Sequence, residues 1–287
     1  MSAGARLSLL REAGLSPKKS FGQNFLVQDG VVRAIAEACV PEGERGRARV
    51  VELGAGLGAL TAALVPRAAH VVAVERDRDL VPILERSLAE PIAAGTLSVV
   101  EQDAQSLDLA ALLGAPDAPR VLAGNLPYQI TGQLLRLAVS QADAVDRVVF
   151  MVQEEVADRV IASPSTKAYG ALTVFVRAAF DVRVAMRVPS GAFVPAPNVQ
   201  SAVIVLVPHR PPVARETDLF RALVKGAFAQ RRKTLRNAWR SVTPDMAAVA
   251  AAAAQAGVSL DARGETLDVA AFNRVAEALG PALHPAQ

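Results

Sequence analysis

The chain has 287 residues, 52% of them hydrophobic and 21% charged. At roughly 100–200 residues per domain this allows one large domain and a smaller one, and it excludes a disordered chain. The formal net charge of +3 excludes little by itself, but the charge is unevenly spread.

A single cysteine, Cys39, leaves no intramolecular disulfide and fits a reducing, cytoplasmic compartment. His70, His209 and His284 are far apart and show no ligand spacing, so no metal is expected. The N-terminus lacks the apolar core of a secretory signal, and no apolar run is long enough for a membrane span.

Residues 1–28 read as a basic, irregular arm with a short helix near Leu7–Glu12, because Pro17 and Gly22 interrupt anything longer. Asp29 is placed to cap a helix that reaches Cys39, with Val31, Val32, Ile35 and Ala38 on one face. Short apolar runs come next at Arg49–Leu53, His70–Val74, Leu97–Val100, Arg120–Ala123 and Arg147–Val152. Helical stretches separate them at Ala59–Val65, Asp77–Leu88 and Ile130–Val139. Such alternation predicts an α/β fold with right-handed crossovers and a parallel, doubly wound sheet.

Helices at Gln153–Ile161 and Ala171–Ala179 then precede two strands, Val182–Val188 and Val199–Val207, with no helix between them. These predict an antiparallel pair at the end of the sheet. Pro208, Pro211 and Pro212 mark a linker, and the pattern is helical from Asp218 onward. The expected domains are residues 1–208 and a small helical one, residues 209–287.

Glycines at 54, 56 and 58 fall directly after a strand and before a helix. Glycine permits the tight turn there and the close approach of a ligand. Glu75 ends the next strand, where an acid would accept from ribose hydroxyls, and Asp103 comes after the third strand, within reach of an adenine amine. The loop also fits a dinucleotide fingerprint, which leaves a nicotinamide-dependent dehydrogenase open. Glu52 favours S-adenosylmethionine: a carboxylate before the loop suits an amino-acid end and is badly placed beside a pyrophosphate.

Asn125-Leu126-Pro127-Tyr128 comes after the fourth strand at the same sheet edge. Methylation of an adenine amine is hard because the nitrogen lone pair is delocalised into the ring. A site must hold the amine and accept from its protons. The Asn125 side chain and the Leu126 or Pro127 carbonyl are suitable acceptors, Pro127 stiffens the backbone, and Tyr128 offers a face for stacking. Standing alone, the tetrapeptide would equally describe a turn.

Through these motifs taken together, the chain resembles the adenine-dimethyltransferase family of RNA methyltransferases over nearly its whole length. The likeness rests on Lys18 to Leu26 (KKSFGQNFL), Glu52 to Gly58 (ELGAGLG) and Glu75 to Leu80 (ERDRDL). It continues through Gln102 to Ala104, Asn125 to Tyr128, Lys167 to Gly170, Phe193 to Ser201 (FVPAPNVQS) and Ala227 to Asn237 (AFAQRRKTLRN).

The resemblance implies a Rossmann-like class I methyltransferase fold: a seven-stranded, mostly parallel sheet with a helical C-terminal domain. It implies S-adenosylmethionine as methyl donor and dimethylation of two adjacent adenosines near the 3′ end of small-subunit ribosomal RNA, in an immature 30S particle and coupled to ribosome biogenesis. Carried over by motif, Gln23, Asn24 and Leu26 cover the cofactor, Gly54 and Gly56 contact its amino-acid part, Glu75 takes the ribose, and Asp103 with Ala104 takes the adenine. Asn125, Leu126, Pro127 and Tyr128 hold the target base, Asn125 also contacting the cofactor, with Phe193 stacking on the base's far side. Departures from the family pattern at Ala55, Gly132 and Ala171 leave this chemistry untouched.

From Arg221 to Arg240 every charged residue is basic, which marks a phosphate-binding face on the C-terminal domain. Trp239 in that stretch reads as core. Nothing in the sequence calls for an obligate dimer, so a monomer is expected. Two other readings stay open. One is a relative that methylates large-subunit ribosomal RNA. The other is an RNA-binding assembly factor with little turnover.

Overall fold

A computed structural model describes residues 3–283. Its strands are β1 (Phe25–Leu26), β2 (Arg49–Leu53), β3 (His70–Glu75), β4 (Leu97–Glu101) and β5 (Arg120–Asn125), then β6 (Arg147–Gln153), β7 (Phe180–Val188), β8 (Phe193–Val194) and β9 (Ser201–Pro208). Seven of them form one sheet in the order β4-β3-β2-β5-β6-β9-β7, while β1 and β8 pair separately. The neighbours from β4 to β6 are parallel, and β9 runs antiparallel to β6. Strands β2, β3, β5 and β6 are buried almost end to end. Continuous apolar runs are what a sheet covered on both faces requires.

The strand order places the site. Chain order reverses between β2 and β5, the switch point where an open α/β sheet opens a crevice beyond its strand ends. Leu53 is in register with both Val74 and Gly124. The next residues along those chains, Gly54 and Asn125, are therefore neighbours beyond one sheet edge, with Glu75 on the adjacent strand. Gly124 is glycine for a steric reason: a Cβ there would lie 2.7 Å from the Leu53 carbonyl oxygen.

Contacts divide the chain into two compact units, Met1–Ala157 with Val182–Pro208, and Asp158–Asp181 with His209–Gln287. The helical unit therefore claims a segment that a boundary at residue 208 gives to the sheet. Its ties are specific: the Tyr169 hydroxyl donates to the Leu267 carbonyl at 2.7 Å, and Arg231 donates to the Lys167 and Tyr169 carbonyls. Its core holds Phe220, Phe272 and the fully buried Trp239, whose Nε1 donates to the Leu223 carbonyl at 2.9 Å.

Two local expectations change. The helix Asp29–Cys39 starts at Asp29 itself, with Gln28 at the cap and no side-chain cap bond. The helix expected from Asp77 begins only at Val81. Residues 78–80 form a turn instead, in which the Asp77 carboxylate accepts from the Asp79 amide as well as from Lys18 and Gln23. No described helix is long and apolar enough to cross a membrane.

Candidate active site

The crevice holds a cavity of about 360 Å³, within the range of small-molecule sites. Gly54, Gly56 and Glu75 line it from β2 and β3; Asp103 and Ala104 line it from the turn after β4. Asn125, Leu126, Pro127 and Tyr128 line it from the end of β5, and Gln23 and Asn24 from the N-terminal arm. Thus eleven of the thirteen residues named from the sequence meet in one place.

The glycine loop turns through three left-handed residues, with φ of +70° at Gly54, +56° at Gly56 and +75° at Gly58. Such angles favour glycine strongly. The Glu75 carboxylate braces the loop. Its Oε2 accepts from the Gly56 amide at 2.7 Å, and its Oε1 from the Arg76 and Asp77 amides at 2.9 and 2.8 Å. Burial raises the Glu75 pKa, against the pull of these amides. A carboxylate offers about four acceptor positions, so one remains for a ligand hydroxyl. Asp103 Oδ1 caps the turn at Gln105, and its Oδ2 lies 3.4 Å from Arg76.

Asn125 is held in one orientation. Its Nδ2 donates to the Asn24 carbonyl at 3.1 Å, which leaves Oδ1 as the free acceptor. Of the two candidate carbonyls, one is already occupied. That of Pro127 accepts from the Ile130 amide and the Thr131 hydroxyl. Tyr128 is half-buried with its hydroxyl 2.8 Å from Ser201 Oγ, and burial raises its pKa.

The arm is fastened across the crevice. Lys18 Nζ bonds Asp77 Oδ1 at 2.5 Å and Asp79 Oδ2 at 2.6 Å, and Gln23 Nε2 donates to Asp77 Oδ2 at 2.7 Å. Burial would raise the Asp77 pKa, but Lys18 and Gln23 outweigh it and hold the carboxyl below its ordinary value. Lys18 and Arg76 also sit over the Phe21 ring, at 5.4 and 5.6 Å.

Two residues fall outside the main cavity. Leu26 lines a smaller cavity beside it. Phe193 lines neither. Its ring is only 3% exposed and packs in the core, because β8 pairs antiparallel with β1 and sets Phe193 opposite Leu26. Phe193, expected to stack on the target base, lies here in the core beside the arm strand. From the same motif it is Ser201 that reaches the site, through Tyr128.

The ribosomal RNA adenine dimethylase model matches residues 14–280. The chain belongs to this ribosomal RNA adenine dimethylase family. It is similar to a ribosomal RNA small subunit methyltransferase A from Anaeromyxobacter sp. (strain K), with 45% identity over 95% of this chain and 97% of that one. Among solved structures, a dimethyladenosine transferase from Plasmodium falciparum aligns with a TM-score of 0.73 at 23% identity, covering 88% of this chain and 95% of that one. The 23S rRNA methyltransferase ErmE aligns with a TM-score of 0.64 at 25% identity, over 90% of this chain and all of ErmE.

As an adenine dimethylase the chain is an enzyme with the Rossmann-like class I methyltransferase fold, and the dehydrogenase reading of the glycine loop falls. Two features of this dimethylase escape a reading of the sequence. Asp77 pairs with Lys18 across 59 residues, and no local pattern announces that contact. Arg6 lines the smaller cavity from a helix that reads only as an arm.

Proposed function

We propose that the chain dimethylates the exocyclic amines of two adjacent adenosines near the 3′ end of small-subunit ribosomal RNA, with S-adenosylmethionine as donor. The substrate would be an immature 30S particle and the enzyme a cytoplasmic monomer. The much higher identity to a relative named for the small subunit than to ErmE favours this RNA over the large-subunit one. The observation that carries the chemistry is the fixed Asn125 amide beside the glycine loop.

The cavity fits the cofactor on two counts. Its volume suits a nucleoside-sized ligand, and its donors suit the parts of one. Glu75 retains an acceptor position for ribose, Asp103 and Ala104 flank the place for adenine, and the bare Gly54–Gly56 backbone admits the amino-acid part. Gln23 and Asn24 close the cavity over it, and Leu26 supports them from below. The cofactor supplies an electrophilic methyl group carried on a sulfonium.

The target adenine is taken out of its stack, as base-modifying enzymes require. It would lie on the Tyr128 ring, whose angle Ser201 fixes. Asn125 Oδ1 and the Leu126 carbonyl accept from the amine, turning its lone pair toward the methyl group. No strong base is needed before attack, since positioning supplies most of the effect. The committed Pro127 carbonyl keeps the turn rigid. Arg232, Lys233 and Arg240, all exposed, are suited to RNA phosphates on the helical unit.

Asn125→Ala tests the assignment. Removing one well-placed polar group from a reacting centre commonly costs about 10²–10³ in rate. Methyl transfer should fall by that order, with cofactor affinity within a few-fold of wild type. Unchanged turnover would remove Asn125 from the reacting centre.

A further inference from the structure

The smaller cavity beside the glycine loop, about 50 Å³, shares Phe25, Gly54, Gly56 and Asn125 with the main one and is closed by Arg6 and Glu52. Arg6 comes from the helix Ala3–Glu12. That helix is seated by Leu10, which packs with Phe25, Leu57, Leu80 and Ile83. Leu57 belongs to the glycine loop, so the helix roofs the loop itself.

Arg6 is only 8% exposed. Among the described residues its guanidinium makes no hydrogen bond or ion pair; burial lowers its pKa, and Asp29 acts on it only through space. Arg6 lines the small cavity without a partner charge, and the planar fork of a guanidinium is shaped for a carboxylate. The other cation at the site, Arg76, lies beside Asp103 and Phe21, at the opposite end.

Glu52, on the same small cavity, is its counterpart. It is 2% exposed, receives the Thr61 hydroxyl at 2.6 Å, and does not ion-pair with Arg6. A guanidinium at one side and, at the other, a carboxyl whose oxygen can accept from an ammonium, with a shared space between them, complement the two ends of an amino acid.

We propose that Arg6 binds the α-carboxylate of S-adenosylmethionine, with Glu52 facing its ammonium group, so that the helix Ala3–Glu12 is part of the cofactor site. This rests on the cofactor reading of the main cavity and names the residue that recognises the amino-acid end. The helix, already seated over the loop, then gains a contact with the amino acid, and an adenosine lacking that end gains nothing from it.

The test compares two probes by titration calorimetry on the full chain: S-adenosylhomocysteine, and 5′-methylthioadenosine, which has the nucleoside but no amino acid. Arg6→Ala should weaken S-adenosylhomocysteine by about 10- to 100-fold, the usual worth of a charge-assisted pair. It should leave 5′-methylthioadenosine within twofold. Arg6→Lys should recover part of the loss, since it restores the charge without the fork. Retained 5′-methylthioadenosine binding also certifies that each variant is folded.

Equal losses for both probes would make Arg6 a structural residue and overturn the proposal, as would no loss for either. If the wild-type chain bound neither probe, the cofactor reading of the cavity would fail and the assignment of Arg6 with it.

Discussion

Replacing Glu52 by Gln should stabilise the protein, increasingly so as the pH rises from 5 to 8. Glu52 lies at the end of a central strand, 2% exposed, with the Thr61 hydroxyl as its partner. Burial pushes its pKa from 4.5 up to about 8, and the nearby Glu75 adds to the rise. The folded protein therefore holds this proton at neutral pH, while the unfolded chain has released it. Where the folded state binds more protons, stability falls as pH rises. The contribution is complete below pH 4.5 and is lost progressively up to about pH 8.

At about 1.4 kcal/mol per pH unit, the cumulative loss at pH 7 is roughly 3 kcal/mol. Gln keeps a neutral hydrogen-bonding group of the same shape and does not titrate. Urea unfolding of both proteins at several pH values gives the difference directly. It should be small near pH 4.5 and grow to roughly 3 kcal/mol at pH 7 in favour of the variant. A difference independent of pH, or growing toward acid, would refute a buried neutral carboxyl at this position.

Lys18→Met should free the arm. Asp77 would keep its burial and lose its main counter-charge, and amide hydrogen exchange over residues 18–26 should quicken; unchanged protection would show that the Lys18 contacts do not hold the arm. Lowering the pH should loosen it in the same way, because the depressed Asp77 pKa gives a stabilisation that is present above the ordinary carboxylate value and lost on acidification. Gly124→Ala should lower stability by about 1–3 kcal/mol through the 2.7 Å approach of its Cβ to Leu53, read as a lower melting temperature. Arg232→Glu with Lys233→Glu should weaken RNA binding and reduce its salt dependence in a filter assay, whereas equal binding would assign those side chains to solvent. Arg231 is unsuitable for that test, since it bonds Lys167, Tyr169 and Glu265 and its loss would loosen the fold.

Much of this site is legible in the sequence because its residues sit at strand ends. Arg49–Leu53 and His70–Glu75 are apolar runs bounded by turn residues, and parallel pairing alone gathers the residues at and beyond their C-terminal ends. Gly54, Glu75, Asp103 and Asn125 converge for that reason. The illegible part depends on contacts between distant segments. The two-residue strands β1 and β8 carry no periodicity, so nothing local shows that they pair and bury Phe193. The commitment of the Pro127 carbonyl to Thr131 depends on how the next helix begins. Arg6 lies in a helix with little amphipathic pattern, and only its docking by Leu10 reveals that it faces the glycine loop. Likewise, seven basic residues between Arg221 and Arg240 look alike in sequence, yet Arg231 and Arg236 prove to be paired with Glu265 and Asp261.

The decisive experiment is to incubate the purified protein with labelled S-adenosylmethionine and small ribosomal subunits that lack the modification, and to measure dimethyladenosine in the digested RNA. Label is expected in two adjacent dimethyladenosines near the 3′ end, and almost none with Asn125→Ala. Tight binding of the subunit with no label transferred by the wild-type protein would contradict the proposed reaction, and would describe an assembly factor that keeps the fold without the chemistry.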